Sequence, residues 1–337
     1  MTHPQSHFAG KVVLVTGAGG SIGSEICRSL YNLGSVLEIR LVGHSEAPLY
    51  DIGRELLQNW NPNLSPKVNV ILASCTDGKA MAAACEGVDI VIHAAAHKHV
   101  PLCEQNPIEA ITNNVGGTVT LAEAASRAGV SQFVMVSTDK AVKPSSVMGA
   151  TKRACELFVQ FLSARSSMKC TIVRFGNVLN SSGSVLPLWR EQIRQGKPIT
   201  LTDKRCTRYF MSIQDAVELT LGAASLPRSG MYVLDMGKPR SMYEMACELL
   251  EEAGKREIPW AYPDDFMKFT GLRPGEKLVE ELTYGGEQTK TAIPRVFALS
   301  ESGGRHILRW EDFSDLLMAA KCRAKDMALD TLWSLVR

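Results

Sequence analysis

The sequence predicts an α/β protein with a doubly wound parallel sheet and a second, smaller α/β lobe. Apolar runs of strand length alternate with helical patterns as far as Asn177, the first run leads into a glycine-rich turn, and the alternation then stops. Alternating strands and helices form βαβ units, which build a parallel sheet. The expected boundaries are 8–178 with 212–236 for the sheet domain, 179–211 with 237–299 for the lobe, and 300–337 for a helical tail.

Composition and charge are those of an ordinary globular protein. The 337 residues are 45% hydrophobic and 21% charged, with a formal net charge of +2, which argues against a dedicated nucleic-acid binder. The nine cysteines contain no Cys-x-x-Cys pair, so we expect neither a zinc site nor a disulfide framework. The N-terminus has no apolar signal region, and no apolar run approaches the roughly 18 residues of a membrane span. We therefore expect a cytoplasmic protein with no membrane span and no nucleic-acid partner.

A glycine-rich turn follows the first predicted strand, Lys11–Thr16. Glycines at 17, 20 and 23 permit a tight turn, close approach of a pyrophosphate, and packing of the next helix on the sheet. That helix, expected to begin at Ser24, offers its N-terminus to the pyrophosphate. An ordinary glycine turn is the alternative, but a position between strand and helix favours a Rossmann-type dinucleotide site. The expected cofactor contacts here are Gly17, Gly19, Gly20, Ser21, Ile22 and Gly23.

Polar residues follow the second and third predicted strands, Val36–Val42 and Val68–Leu72. An acidic residue usually binds the adenosine ribose about 20 residues beyond the glycine turn, and Glu46 lies near that position. No arginine follows immediately to hold a 2′-phosphate, which favours NAD over NADP. After the third strand, the alternative is that Ser74 and Cys75 are ordinary polar loop residues that bind no ligand. The expected adenosine contacts are His44, Glu46, Ser74 and Cys75.

Three alanines and three histidines mark the end of the fourth strand, Val88–His93. The histidines invite a metal interpretation, but no carboxylate or cysteine completes a ligand set, so we expect no metal. Lys98 can face a substrate phosphate or simply be solvated. Either Asn113 or Asn114 is expected to brace the active-site backbone, and we assign Asn113 to the cofactor site. Small residues suit close approach of a dinucleotide, so the expected contacts are Ala94, Ala95 and Ala96.

The most informative stretch follows the fifth strand, at the edge where parallel α/β sheets bind ligands. Thr138, Asp139 and Lys140 come first, and a helix then carries Met148 and Lys152 on one face, four residues apart. Short-chain dehydrogenases normally carry a catalytic tyrosine four residues before this lysine. Methionine cannot transfer a proton, so either the site is inactive or another residue does the acid–base work. The pair Asp139–Lys140 is the obvious substitute.

The second lobe contains candidates for binding the rest of a substrate. Asn177 ends the last strand of the alternating part, and a loop follows it. Arg208 and Arg273 lie in loop settings, where guanidinium forks suit a nucleotide diphosphate. Surface salt bridges are the alternative for both arginines. Residues 310–337 are expected to form an amphipathic helix that can serve as a partner surface.

Seven motifs together resemble one family, the polysaccharide-biosynthesis (CapD-like) branch of the extended short-chain dehydrogenases. They are Thr16–Glu25, His93–Pro101, Ser137–Lys140, Val147–Lys152, Arg174–Val178, Thr207–Met211 and Leu272–Lys277. This branch comprises UDP-N-acetylglucosamine 4,6-dehydratases of bacterial surface-glycan pathways, which implies tightly held NAD, and homo-oligomers are usual on this fold. In the enzymes that retain configuration at C-5, methionine characteristically replaces the tyrosine. Met148 is therefore expected to mark that subtype.

The resemblance implies a role for each candidate residue. Lys140 would remove the C-5 proton of a 4-keto sugar, and Asp139 would protonate the departing C-6 hydroxyl. The O-4 proton would leave through Lys152 and a water, through Thr138 or through Asp139, and Lys152 would also hold the nicotinamide ribose. The expected substrate contacts are Lys98, Asn177, Ser181, Val185, Arg208, Arg273 and Glu276.

Three alternatives stay open. One is a 5-inverting dehydratase, and another is a nucleotide-sugar 4-epimerase on the same fold. The epimerase would need the missing tyrosine and no Asp139–Lys140 pair. The third is a nucleotide-binding scaffold without activity, which the intact Asp139, Lys140 and Lys152 disfavour.

Overall fold

The structure, a computed structural model, describes residues 4–58, 61, 65–254, 263–285, 288–300 and 308–337. It confirms the predicted α/β class, with a large, mostly parallel central sheet of the Rossmann type. The described strands are β1 Val12–Thr16, β2 Glu38–Gly43, β3 Lys67–Leu72, β4 Ile90–His93, β5 Gln132–Thr138, β6 Lys169–Phe175, β7 Asn177–Val178, β8 Ile199–Leu201, β9 Thr207–Arg208, β10 Phe210–Met211, β11 Gly230–Leu234, β12 Arg240–Ser241, β13 Met267–Phe269, β14 Gln288–Lys290 and β15 Val296–Leu299.

Helices cover both faces of the sheet and extend into the smaller lobe. They are α1 Pro4–Phe8, α2 Ser21–Asn32, α3 Glu46–Gln58, α4 Gly78–Cys85, α5 Val100–Gln105, α6 Pro107–Ala110, α7 Gly117–Arg127, α8 Val147–Ser163, α9 Val185–Arg194, α10 Ile213–Ser225, α11 Met242–Glu252, α12 Trp310–Lys321 and α13 Lys325–Val336. A π-helical segment, Ile111–Gly116, joins α6 to α7, and short 3-10 turns span Asp139–Ala141 and Pro263–Phe266.

The central sheet has the strand order β14-β15-β11-β6-β5-β4-β1-β2-β3. Its strands are parallel from β3 across to β11, and β15 is antiparallel to both β11 and β14. Two strands within the range expected for the lobe, β14 and β15, therefore pair with the central sheet. Backbone hydrogen bonds make this pairing. The strand β14 is short and polar, so the sequence shows no alternation of apolar and polar side chains that would reveal it. Of the predicted lobe and tail, residues 255–262, 286–287 and 301–307 lie outside the described residues.

The carboxyl ends of the middle strands meet at one edge of the sheet. Thr16 of β1 pairs in register with His93 of β4, and Ser137 of β5 pairs with Arg174 of β6. Successive side chains point to opposite faces, so two separate apolar clusters form, one on each face of the sheet. The polar residues that follow these strands are thereby brought to a common rim.

Helix α2 begins at Ser21, three residues earlier than predicted. Gly20 is its N-cap, so Gly23 lies inside the first helical turn. A Cβ on Gly23 would come within 2.1 Å of the carbonyl oxygen of Gly17. Glycine therefore lets the helix pack directly against the turn that precedes it.

The smaller lobe has its own apolar core. Helices α9 and α11 pack with β8 and β13 around the buried Trp189, whose Nε1 donates to the Thr200 carbonyl over 2.7 Å. The predicted single helix of the tail is instead two helices, α12 and α13, separated at Arg323, which has a positive φ of 56°. Phe313 of the tail lies 5.1 Å from the Phe158 ring of α8, centroid to centroid. The apolar face of the tail is thus buried against the chain's own sheet domain.

Candidate active site

A cavity of about 830 Å³ lies at the carboxyl ends of the middle strands, between the sheet domain and the smaller lobe. Its wall on the sheet side comes from the glycine turn, the segment after β4, the end of β5 and the first turns of α8. The lobe contributes the segment around Asn177–Leu186 and parts of 202–210 and 275–280. The volume and the mixed polar lining suit a small-molecule ligand.

The glycine turn forms one end of this cavity. The lining residues Gly17, Gly20, Ser21, Ile22 and Gly23 are five of the six expected from the sequence. Gly17 has a positive φ of 66°, and no side chain caps α2 at Gly20, so the helix N-terminus is left for a ligand. A Cβ on Gly20 would come within 3.2 Å of the Gly17 carbonyl. These features fit the pyrophosphate of a dinucleotide.

Two residues assigned to the cofactor have packing roles. Gly19 does not line the cavity, and a Cβ there would come within 2.8 Å of the Pro48 backbone. Ala94 and Ala96 line the cavity, whereas Ala95 lies behind it. A Cβ on Gly17 would come within 2.8 Å of the Ala95 backbone. Direct contact of Gly19 and Ala95 with a cofactor stays a prediction.

The expected adenosine contacts lie outside this cavity. His44 and Glu46 are exposed beyond β2, and Glu46 is the first residue of α3. Ser74 forms a 2.8 Å hydrogen bond between its Oγ and Thr76 Oγ1. Cys75 is half-buried, and burial raises the pKa of its thiol to about 11. His44 and Glu46 follow β2, and Ser74 and Cys75 follow the edge strand β3 beside it. Their contact with adenosine stays a prediction.

The three histidines after β4 diverge in environment. His93 is fully buried between Thr16 Oγ1 at 2.7 Å and Thr118 Oγ1 at 3.0 Å, and burial lowers its pKa to about 3. The His97 ring lies 3.3 Å from a carboxylate oxygen of Glu109, and His99 lines the cavity. Within the described residues, no group of three potential ligands is placed to hold a metal ion.

Asn114, rather than Asn113, braces the active-site backbone. Its buried side chain accepts from the His97 backbone nitrogen at 2.7 Å and donates to the His97 carbonyl at 3.0 Å. It also donates to Thr151 of α8 at 3.0 Å, while Asn113 only donates to Asn114 and does not line the cavity. The sequence left this choice open. The spacing rule of an α-helix does not tell the two apart, because Ile111–Gly116 is π-helical.

The residues after β5 form a hydrogen-bonded group around Asp139. Its Oδ1 accepts from Thr138 Oγ1 at 2.9 Å and from Lys140 Nζ at 3.0 Å. The Nζ of Lys140 also donates to Asn177 Oδ1 at 3.0 Å. Thr138, Lys140 and Asn177 line the cavity, whereas the fully buried Asp139 does not. Its Oδ2 is buried without a hydrogen-bond partner among the described residues and packs against Gly176, where a Cβ would come within 2.9 Å of it. A catalytic role for Asp139 stays a prediction.

Helix α8 presents Met148 and Lys152 to the same cavity. Ser146 caps the helix by accepting from the Gly149 backbone nitrogen, and Glu104 accepts from the Val147 nitrogen at 2.6 Å. The Nζ of Lys152 donates to the Val136 carbonyl at 2.7 Å, and burial lowers its pKa. Lysine and methionine thus lie side by side at the cavity wall.

Of the expected substrate contacts, six line the cavity and one does not. Lys98 Nζ donates to the Ser182 carbonyl at 2.6 Å, and burial lowers its pKa. The guanidinium of Arg208 donates to the carbonyls of Thr207, Lys277 and Leu278. Arg273 is exposed and does not line the cavity, and its contact with substrate stays a prediction. The six that line the cavity are Lys98, Asn177, Ser181, Val185, Arg208 and Glu276.

Sequence reasoning missed one carboxylate of the cavity wall. Glu280 lines the cavity and is only 5% exposed, whereas its neighbour Glu281 is half-buried, does not line the cavity and pairs with Lys143 at 2.6 Å. Two adjacent glutamates follow the Leu272–Lys277 motif, and nothing local in the sequence tells which one faces inward. The fold decides this, because residues 275–284 are hydrogen-bonded to the loop after β5.

The chain is similar to proteins of polysaccharide biosynthesis. A family model described as polysaccharide biosynthesis protein matches residues 13–301. CapD from Staphylococcus aureus, a capsular polysaccharide biosynthesis protein, is 48% identical over 282 residues, which is 81% of this chain. EpsC from Bacillus subtilis (strain 168), a probable polysaccharide biosynthesis protein, is 44% identical over 282 residues, or 82% of this chain. The chain spans about half the length of these curated relatives, 45% of CapD and 46% of EpsC.

A solved structure is similar over most of the chain. The crystal structure of Pen from Bacillus thuringiensis matches with a TM-score of 0.78 and 30% identity, covering 88% of this chain and 90% of that one. Proteins named UDP-glucose 4-epimerase also occur among the relatives, at lower identity than CapD and EpsC. Among the described residues, no helix combines the length and apolar character needed to cross a membrane. The match to the family model over residues 13–301 and the identity to CapD and EpsC show that the chain belongs to the polysaccharide biosynthesis protein family, as a CapD- and EpsC-like member of the extended short-chain dehydrogenases.

Proposed function

We propose that this protein is an NAD-dependent 4,6-dehydratase of UDP-N-acetylglucosamine that retains configuration at C-5. The observation that carries the proposal is the placement of Lys140 in the cavity wall, with no tyrosine at the position of Met148. An epimerase on this fold would need that tyrosine, whereas a dehydratase needs a base that can reach a carbon-bound proton. We place the protein in bacterial surface-glycan biosynthesis, in the cytoplasm and as a homo-oligomer.

The fit of a dinucleotide rests on the shape of the glycine turn. We assign its pyrophosphate to the N-terminus of α2, where Gly20 and Gly23 leave no side chain in the way. Lys152 would hold the nicotinamide ribose from the other side of the cavity. Bound NAD would take hydride from C-4 of the sugar and return it to C-6. The exposed Glu46 and the absence of an adjacent arginine favour NAD over NADP.

Lys140 is suited to act as the base at C-5. A neutral amine has two N–H donors and one lone pair, and Asp139 Oδ1 and Asn177 Oδ1 each lie 3.0 Å from its Nζ. If both donors are used in this way, the lone pair is directed to the remaining tetrahedral position, toward the cavity. The nearby carboxylate of Asp139 then stabilises the ammonium that forms when the proton is taken.

The O-4 proton needs a separate acceptor. Of the three candidates, Thr138 and Lys152 line the cavity, and Asp139 does not. Because burial lowers the pKa of Lys152, a fraction of its amine is neutral nearer to physiological pH than for an exposed lysine. We therefore favour Lys152, acting directly or through a water, over Asp139.

The test is incubation of the purified protein with UDP-N-acetylglucosamine in deuterated water, followed by mass spectrometry and NMR. Loss of water, deuterium at C-5 and the original C-5 configuration are expected. Inversion at C-5 would still identify a dehydratase, but it would show that Met148 does not mark a configuration-retaining enzyme. A product of unchanged mass with inverted C-4 would identify a 4-epimerase. No reaction with this or other nucleotide sugars, despite bound NAD, would favour the scaffold.

A further inference from the structure

The short turn that carries Asp139 and Lys140 is held in place at both of its ends. It is a single 3-10 turn, Asp139–Ala141, that directly follows β5. Just before it, Ser137 of β5 donates through its Oγ to the buried Glu156 Oε1 at 2.6 Å. The start of the turn is therefore fixed both by the sheet and by a buried carboxylate.

The end of the turn is held by residues 275–284, which we call the crossing segment. Tyr284 OH donates to the Ala141 carbonyl at 3.1 Å, and Lys277 Nζ donates to the Val142 carbonyl at 2.9 Å. These two bonds come from more than 130 positions further along the chain. Two consecutive carbonyls after Lys140 are thus tied to one distant segment, which restricts how the turn can move.

The ring of Tyr284 rests on the buried ion network around Glu156. The guanidinium carbon of Arg153 lies 5.0 Å from the ring centroid, and that of Arg174 lies 5.7 Å from it. Both guanidiniums donate to Glu156 Oε2, at 3.1 Å and 2.6 Å. A cation is attracted to the face of an aromatic ring, so the two arginines hold the ring in place. Tyr284 therefore contacts, through its ring, the same network that holds Ser137.

We propose that Tyr284 is a positioning residue, which holds the Asp139–Ala141 turn in the geometry that lets Lys140 reach C-5 of the substrate. This inference rests on the proposed dehydratase function. Neither Tyr284 nor Ala141 lines the cavity, so Tyr284 acts through the backbone and not on the substrate. The hydrogen bonds of Lys140 Nζ to Asp139 and Asn177 orient the end of its side chain. The backbone of the turn sets where that side chain starts.

The location of Tyr284 predicts which step of the reaction depends on it. The Asp139–Ala141 turn carries the two residues expected to remove the C-5 proton and to protonate the C-6 hydroxyl. Lys152, assigned to the O-4 proton and the nicotinamide ribose, lies on α8 and is anchored separately, to the Val136 carbonyl at 2.7 Å. Loss of the bond from Tyr284 to Ala141 should therefore slow the elimination of water and spare the earlier hydride transfer from C-4.

The experiment compares Tyr284→Phe with the wild type, with UDP-N-acetylglucosamine as substrate. Phenylalanine keeps the ring on Arg153 and Arg174 and removes only the hydroxyl and its hydrogen bond. Water loss should slow by about 10- to 100-fold, because a small displacement of a reacting group has a large effect on rate. In a rapidly quenched single turnover with substrate deuterated at C-4, deuterium should reach the cofactor at the wild-type rate. It should then stay there longer, because the step that follows is slow.

A second tyrosine provides a matched control. Tyr232 OH donates to the Arg228 carbonyl at 2.9 Å, and Tyr232 does not line the cavity. Tyr232→Phe and Tyr284→Phe each remove one hydroxyl hydrogen bond to a backbone carbonyl, so both should lower the midpoint of urea unfolding by similar amounts. Only Tyr284→Phe should slow water loss. If Tyr284→Phe does not fold, Lys277→Met removes the neighbouring bond to Val142 and should show the same selective slowing.

The outcomes are distinguishable. Water loss at the wild-type rate in Tyr284→Phe would overturn the role of Tyr284 and leave the dehydratase proposal standing. Equal slowing of hydride transfer and water loss would assign Tyr284 a general structural role and would also overturn the inference, as would equal slowing of water loss in Tyr232→Phe. No water loss by the wild type with UDP-N-acetylglucosamine would overturn the proposed function and this inference with it.

Discussion

Replacing Glu156 with glutamine should destabilise the fold by about 3–5 kcal/mol. Glu156 is fully buried, and its Oε1 accepts from Arg174 Nε at 2.7 Å and from Ser137 Oγ at 2.6 Å. Its Oε2 accepts from Arg174 Nη2 at 2.6 Å and from Arg153 Nη1 at 3.1 Å. Glutamine keeps the volume but removes the charge and turns an NH₂ group toward a guanidinium. The buried Arg174 would thereby lose its carboxylate partner.

The pH dependence of this effect follows from the pKa of Glu156. Burial alone raises that pKa, but the guanidiniums of Arg174 and Arg153 and the hydroxyl of Ser137 outweigh burial, so the pKa of the folded protein is lowered. A group with a lowered folded pKa stabilises the protein above its unfolded pKa, which is about 4.3 for glutamate. This stability is lost as the pH falls through the folded value. The difference between wild type and variant should therefore shrink on acidification.

The assay is urea unfolding at neutral pH, with Glu191→Gln as control. Glu191 makes a similar two-point contact with Arg194, at 2.8 and 2.6 Å, but on the surface of the protein. That substitution should leave the unfolding midpoint almost unchanged, because water screens the exposed pair. A Glu156→Gln midpoint as close to wild type as that of the control would refute the argument that the buried network stabilises the fold.

Three further predictions follow from the site. Lys140→Met should abolish water loss while the purified variant keeps its bound NAD, measured after denaturation; normal turnover would remove Lys140 from the mechanism. Met148→Tyr should not raise kcat greatly, since the cavity is built around methionine, and a large gain would show that Met148 is a lesion. Glu280→Gln should make the melting temperature less sensitive to rising pH. The raised pKa of Glu280 means that wild-type stability falls as the pH rises above about 4.3 and through the folded value; an identical pH profile for both proteins would contradict the raised pKa.

The sequence alone identified the features that depend on neighbours along the chain. A strand, a glycine turn and a helix in succession predict the dinucleotide end of the cavity, because each step is set by local backbone geometry. Asp139 and Lys140 directly follow β5, and the four-residue spacing of Met148 and Lys152 places both on one face of α8. These predictions needed no knowledge of distant contacts.

The direction in which each side chain faces was decided only by tertiary structure. Asp139 turns away from the cavity because it packs against Gly176, and Arg273 stays in solvent although its motif borders the site. Glu280 faces inward because its segment is hydrogen-bonded to the loop after β5, some 140 positions earlier in the chain. Periodicity shows where an element begins and which face is apolar. It does not show what packs against that face, and packing determines which carboxylate is buried and which is solvated.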